Sequence, residues 1–182
     1  HQRCMVAEVM GRHVGWIALH SGIAAGAHVI CIPEVPMSLE EITAQVQRAH
    51  DRGRAPLVVV SEGFTLKGMD EAYSDKGLDA FNRPRLGGIG EVLAPEIERL
   101  TGIETRSTVL GHIQRGGSPS AFDRVLATRL GLHAADVVAE EAWGQMVSMK
   151  GTDIVRVSFE EALGELNSVP LYRYEEAAAL FG

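Results

Sequence analysis

The chain has 182 residues, 46% of them hydrophobic and 23% charged, with a formal net charge of −7. That length and composition suit a globular fold with a sizeable core, as one domain or parts of two, and the acidic balance argues against general nucleic-acid binding, which needs a basic face. Cys4 and Cys31 have no metal-like spacing and read as small buried hydrophobes in a reducing compartment, and no apolar run is long enough to span a membrane.

Met5-Val6-Ala7-Glu8 and Val9 lead into Met10-Gly11-Arg12. From there Gly11, Gly15, Ala18 and Gly22 recur every three or four residues, the small-residue face of a helix packed closely on its neighbour. Packing accounts for these glycines except Gly11. Beside Arg12 at the expected helix start, it would offer free backbone N–H groups to an anion. Gly26 ends that helix, and His28 to Pro33 follows as a buried strand. Ser38-Leu39-Glu40-Glu41 has the pattern of a capping box, and Ile42, Val46 and Ala49 mark the apolar stripe of a helix closed by Gly53. Pro56 to Val60 is a second apolar strand, so strand, helix and strand in this order imply a parallel sheet with a right-handed crossover.

Ser61-Glu62-Gly63 comes directly after that strand, where open α/β sheets bind ligands. The Glu62 carboxylate there could accept from sugar hydroxyls, or simply be a solvated loop residue. Phe64 to Gly87 mixes Gly, Pro and charged residues without period and is expected to be an irregular excursion. Gly88 to Leu100 is expected to be a helix with Ile89, Val92, Leu93, Ile97 and Leu100 on one face and Gly102 at its end.

Glu104 to Leu110 reads as a strand that runs into Gly111-His112-Ile113-Gln114-Arg115-Gly116-Gly117-Ser118-Pro119. A strand leading through a glycine-rich turn into a helix is a site for small anions, and His112 and Arg115 supply hydrogen bonds and charge. The competing reading is a connecting loop with a solvated Arg115. Ala121–Leu130 and Leu132–Trp143 are expected as two helices around a break at Gly131. Gln145–Met149 and Ile154–Val157 are expected as a hairpin around Gly151. A second capping box follows at Ser158 to Glu161, and a last helix after Pro170 includes Tyr172, Ala178 and Phe181.

His1-Gln2-Arg3, Met10-Gly11-Arg12, Ser61-Glu62-Gly63, Glu104-Thr105-Arg106 and the run from Gly111 to Pro119 together resemble the 6-phosphofructokinase family. The likeness covers essentially the whole chain in order and corresponds to the C-terminal part of such an enzyme. It implies an α/β, Rossmann-like, three-layer architecture within a two-domain fold. Residues 1–111 would belong to the fructose 6-phosphate-binding domain, 112–164 would return to the nucleotide-binding domain, and the terminal helix in 165–182 would rejoin the first. The helix from Gly117 to Leu130 would then lie at the domain junction.

The resemblance assigns Met10 and Glu62 to the sugar, His112 and Arg115 to its 6-phosphate, and Gly11 and Arg12 to the substrate site. Arg12 would stand near the transferred phosphoryl group. Arg3 and Arg106 would reach the same phosphate across the subunit interface of a homo-oligomer, a dimer or tetramer. The family phosphorylates fructose 6-phosphate in the cytoplasm, with Mg2+ and with ATP or pyrophosphate as donor.

The family's catalytic aspartate in a Thr-Ile-Asp motif and its Gly-Gly-Asp-Gly-type donor loop are absent from these residues, so the chain alone is expected to be inactive and to hold no metal. A start at His1, inside a matched motif and without Met, points to a truncated sequence. His28 stands where allosteric members carry a glutamate. The alternative function is a non-catalytic sugar-phosphate-binding or regulatory module.

Overall fold

The computed structural model describes residues 3–68, 87–179 and 181. In chain order the first elements are β1 (Cys4–Val9), α1 (Trp16–Ala25), β2 (Val29–Cys31), α2 (Leu39–Asp51), β3 (Leu57–Ser61), α3 (Ile89–Thr101) and β4 (Thr105–Val109). A 3₁₀ turn (Gly111–Arg115) follows, then α4 (Ala121–Ala139), β5 (Gln145–Lys150), β6 (Asp153–Ser158), α5 (Phe159–Leu163) and α6 (Leu171–Ala178). The chain divides into two compact units, His1–Arg115 with Ser168–Gly182, and Gly116–Asn167.

The first unit is built on a four-stranded sheet in the order β2-β3-β1-β4, with every neighbouring pair parallel. Strands this apolar suit burial on both faces. Val58 and Val60 join a cluster with Cys4, Val6, Ile42, Val46, Leu93 and Ile97, contributed by the sheet, α2 and α3. Val59 turns to the opposite face and packs with Ile30, Leu19, Tyr174 and Ala177, where α1 and α6 lie. This alternation makes three layers, as the resemblance implied. Cys4 and Cys31 are buried and free, and burial pushes the Cys4 thiol up to about 11 against a smaller opposing hydrogen bond with Thr105.

The capping box at Ser38 forms, with Glu41 N–H donating to Ser38 Oγ at 3.2 Å and Ser38 N–H donating to Glu41 Oε2 at 2.7 Å. α6 is anchored through Tyr174, whose hydroxyl donates to the Ile30 carbonyl at 2.9 Å. The segment before it is tied by Val169 N–H to Glu34 Oε1 at 2.9 Å.

Several expectations need correction. α1 begins at Trp16, not near Gly11, because Gly11 has φ +145, outside the helical region. The free N–H at that helix start belongs to Gly15 and already donates to the Glu34 carboxylate at 3.0 and 3.1 Å. Residues 64–68 hold no helix or strand, as expected, but they are not loose: Phe64 is fully buried, and Leu66 and Lys67 pair with Met37. Most of the expected excursion, residues 69–86, lies outside the described residues. Leu100, expected on the buried face of α3, is 45% exposed, whereas Ile89, Leu93 and Ile97 are fully buried.

In the second unit, α4 runs unbroken through Gly131, where two helices were expected. A single interior glycine costs about 1 kcal/mol relative to alanine, and the hydrogen-bond ladder absorbs that. Its start is set by Ser120 and Asp123, a capping box not anticipated from the sequence. β5 and β6 form the expected antiparallel hairpin around Gly151, which has φ +63. Ser158 caps α5 through Glu161 as expected.

Candidate functional site

Parallel strands place all their carboxyl ends along one edge of the sheet. At that edge three loops meet: Met10–Gly15 after β1, Glu62–Phe64 after β3, and the 3₁₀ turn after β4. The sheet ladder continues into them, with Glu62 N–H donating to Val9 O at 2.9 Å and Leu110 N–H donating to Glu8 O at 3.0 Å. Gly63 N–H then donates to Gly11 O at 3.0 Å.

The first two loops interlock closely enough to require glycine. A Cβ on Gly63 would overlap the Arg12 carbonyl oxygen. A Cβ on Gly11 would stand 2.6 Å from Ser61 Oγ, at a φ that L-residues rarely adopt. The third loop is fastened by Gln114, which accepts from Met10 N–H at 3.1 Å and donates to Gly111 O at 2.9 Å. Arg115 Nε approaches the Met10 sulfur at 3.3 Å.

Met10, Gly11, Arg12, Glu62, His112 and Arg115 therefore gather on three linked loops. Met10, Arg12 and Glu62 are half-buried, while His112 and Arg115 are exposed. Loops that carry two arginines, a histidine and a glutamate have the residue types that suit a ligand with an anionic end and hydroxyls. In the second unit, the start of α4 forms a capping box, with Ser120 N–H donating to the Asp123 carboxylate at 2.8 Å and Asp123 N–H donating to Ser120 Oγ at 3.2 Å.

Arg3 and Arg106 are not brought to that edge. Arg3 precedes β1, and Arg106 lies opposite Met5, about 10 Å along β4 from Val109. Both bind Glu104: Arg3 Nε lies 2.6 Å from one carboxylate oxygen and Arg106 Nη2 lies 3.0 Å from the other. The hydrogen bond from Arg3, and then that from Arg106, hold the Glu104 carboxyl below its usual range. Glu104 and Arg106 are two apart in sequence, a spacing that puts both on one face of an extended chain and could have signalled the pair.

Glu8 was also missed. It is 2% exposed, and its carboxylate accepts from Gly88 N–H at 2.9 Å and Gly90 N–H at 2.8 Å, satisfying the start of α3. The lone acid within the apolar run of β1 was its signal. Among the described residues, no group of three or more His, Cys, Asp or Glu side chains could hold a metal ion, and no helix is long and apolar enough to cross a membrane.

A family profile described as phosphofructokinase matches residues 1–138. The pyrophosphate–fructose 6-phosphate 1-phosphotransferase of Amycolatopsis methanolica is 54% identical over 182 residues, all of this chain and 53% of the relative. The ATP-dependent 6-phosphofructokinase of Mycobacterium leprae is 49% identical over 183 residues, again all of this chain and 53% of the relative. The chain thus spans about half the length of the curated relatives it matches. Among solved structures, Saccharomyces cerevisiae phosphofructokinase superposes with a TM-score of 0.69 at 33% identity, over 99% of this chain and 22% of that one. A pyrophosphate-dependent phosphofructokinase from Marinobacter aquaeolei shares the fold with a TM-score of 0.75 at 24% identity, over 94% of this chain and 43% of that one.

Proposed function

The chain belongs to the phosphofructokinase family, and we propose on that premise that it is the sugar-phosphate-binding part of a 6-phosphofructokinase. The observation that carries the reading is the convergence of Met10, Arg12, Glu62, His112 and Arg115 on three hydrogen-bonded loops at one sheet edge. Met10 would contact the sugar, Glu62 would accept from its hydroxyls, and His112 and Arg115 would bind the 6-phosphate. Arg12 would stabilise charge on the phosphoryl group in transfer to the 1-hydroxyl. Positioning and charge stabilisation are most of what this chemistry asks of a protein. Residues 1–111 and 165–182 would form the sugar-phosphate domain, with 112–164 returning to the domain that binds the donor.

In this reading the catalytic aspartate, the magnesium site and the donor pocket lie outside these residues, which lack the corresponding motifs. Magnesium would supply charge neutralisation of the donor phosphates. This chain's residues would bind and orient the sugar phosphate. Arg3 and Arg106, at the far end of the strands from His112 and Arg115, would serve the site of a second subunit in a homo-oligomer.

The test is fructose 6-phosphate-dependent turnover of the full-length protein with magnesium, comparing ATP with pyrophosphate. Arg115→Ala and Arg106→Ala should each weaken sugar-phosphate binding by about 1.5–3 kcal/mol, the scale of a charged hydrogen bond. Arg12→Ala should lower kcat more than it raises KM. A change confined to KM would reject the assigned role of Arg12, and absence of turnover with either donor would reject the kinase reading.

A further inference from the structure

Gln114 lies within the 3₁₀ turn and makes two hydrogen bonds of opposite sense. Its Oε1 accepts from Met10 N–H at 3.1 Å, and its Nε2 donates to Gly111 O at 2.9 Å. A backbone N–H can only donate and a carbonyl can only accept, so these partners set the orientation of the amide. The backbone ladder between β1 and β4 ends where Leu110 N–H meets Glu8 O. Beyond that point the Gln114 amide carries the register from one loop to the other. Asparagine is one methylene shorter, and a carboxylate cannot donate.

We propose that Gln114 is a positioning residue of the sugar-phosphate site, holding Met10 and Arg12 in register with His112 and Arg115 without touching the ligand. The inference rests on the function proposed above. It separates the residues that bind the phosphate from the one that keeps them at a common distance. Without the clasp, the turn after β4 retains its chain connection to the sheet, but the loop after β1 loses its amide tether to it and keeps only the weak Arg115–Met10 sulfur contact. The binding groups would then have to be ordered anew each time the sugar phosphate binds, at a cost in affinity.

The experiment compares wild type, Gln114→Leu and Gln114→Glu in the full-length protein, measuring kcat and KM for fructose 6-phosphate and for the preferred donor across pH. Leucine has similar bulk and no hydrogen-bonding group. Gln114→Leu should raise KM for fructose 6-phosphate by about 10- to 100-fold, the scale of two lost hydrogen bonds, with a smaller change in kcat and none in KM for the donor. In Gln114→Glu the ionised carboxylate still accepts from Met10 N–H but cannot donate to Gly111 O, whereas the protonated form can do both. The ratio of its KM to that of wild type should therefore shrink as the pH is lowered from about 7 to about 5. Hydrogen bonding to Gly111 O and a nearby phosphate raise a carboxyl pKa, while Met10 N–H and Arg115 lower it towards the ordinary value of about 4.3. Arg12, His13, Glu62, His112 and Arg115 are common to both proteins, so their own titrations cancel in that ratio, while their charges set where the introduced carboxyl titrates.

A residue serving only folding would reduce the active fraction and leave both KM values and the pH ratio unchanged, and that result overturns the proposal. If Gln114→Leu does not fold, the pH ratio of Gln114→Glu decides, a constant ratio being the overturning result. Wild-type protein without fructose 6-phosphate turnover overturns the underlying function and this inference with it. Wild-type turnover with unaltered KM in both variants overturns the role of Gln114 alone.

Discussion

The two compact units of this chain are held together by different means. In the first, the sheet is sandwiched, with Val6, Val58, Val60, Ile42 and Leu93 fully buried on one face and Ile30 and Leu19 on the other. In the second, Val137 is the only buried hydrophobic residue among those described, while Phe122, Leu132, Trp143, Leu163 and Leu166 are each more than 60% exposed. Its order comes from local polar devices: capping boxes at Ser120 and Ser158, the Arg156–Glu140 pair, and Arg129 donating to Thr152 O at 2.7 Å. Exposed ion pairs and caps contribute too little to stabilise a unit this small without a core. The second unit thus carries instructions for its shape but little of its own stability, as expected if it packs against the other half of a longer protein.

Hydrogen exchange on this chain by itself should show the contrast most strongly. Amides of β1 and β3 should exchange only through opening of the whole first unit, and those of α4 and the β5–β6 hairpin through much cheaper local opening. The rates should differ by at least about 100-fold. Equal protection would break the comparison.

Side-chain truncation sharpens the same contrast. Ile97→Ala removes a fully buried side chain beside Leu93 and Phe64, and should cost about 2–5 kcal/mol in denaturant unfolding. Leu163→Ala, at a site 81% exposed, should cost no more than about 0.5 kcal/mol in this chain. A larger cost for Leu163→Ala in the full-length protein would reveal the surface that buries it. Comparable costs in this chain would mean that the second unit has a core of its own.

Periodicity exposed the parallel sheet and its helices because the first unit is organised by burial, and burial leaves a two- or 3.6-residue rhythm in the sequence. The capping box at Ser38 and the hairpin at Gly151 were legible for a different reason, since each is a local chemical pattern. The continuity of α4 was not legible, because one glycine costs too little to end a helix that Ser120 and Asp123 start well. Burial of Phe64 was hidden because it lies outside any repeat. At the candidate site the chemistry-bearing residues stood out by type. Their fastening by Gln114 and the satisfaction of α3 by Glu8 depend on partners far away in sequence, which no local pattern encodes.

Acid should separate the units by a smaller but directional effect. In the first, His28 Nδ1 accepts from Leu57 N–H at 3.2 Å, and desolvation, with a further push from Arg54, lowers its pKa from the ordinary 6.5. The unfolded chain therefore takes up this proton more readily than the folded one. Stability should be lost as pH falls below about 6.5, until the folded imidazole also protonates. In the second unit the shifted groups that titrate in acid are carboxylates. The hydroxyl of Ser120 lowers Asp123, the side chain of Arg156 lowers Glu140, and the backbone N–H of Ser158 lowers Glu161. For these, stability is fully present above their ordinary values of 3.8 to 4.5 and declines as pH falls through the folded values. Local unfolding followed by NMR should show the edge of the first unit around His28 loosening near pH 6, while α4 and the hairpin remain unchanged until the carboxylates titrate. His28→Gln, which cannot acquire a charge, should abolish the loosening near pH 6 and leave the carboxylate transition in place. If the β2–β3 edge of His28→Gln still loosens near pH 6, the proton responsible binds to another group.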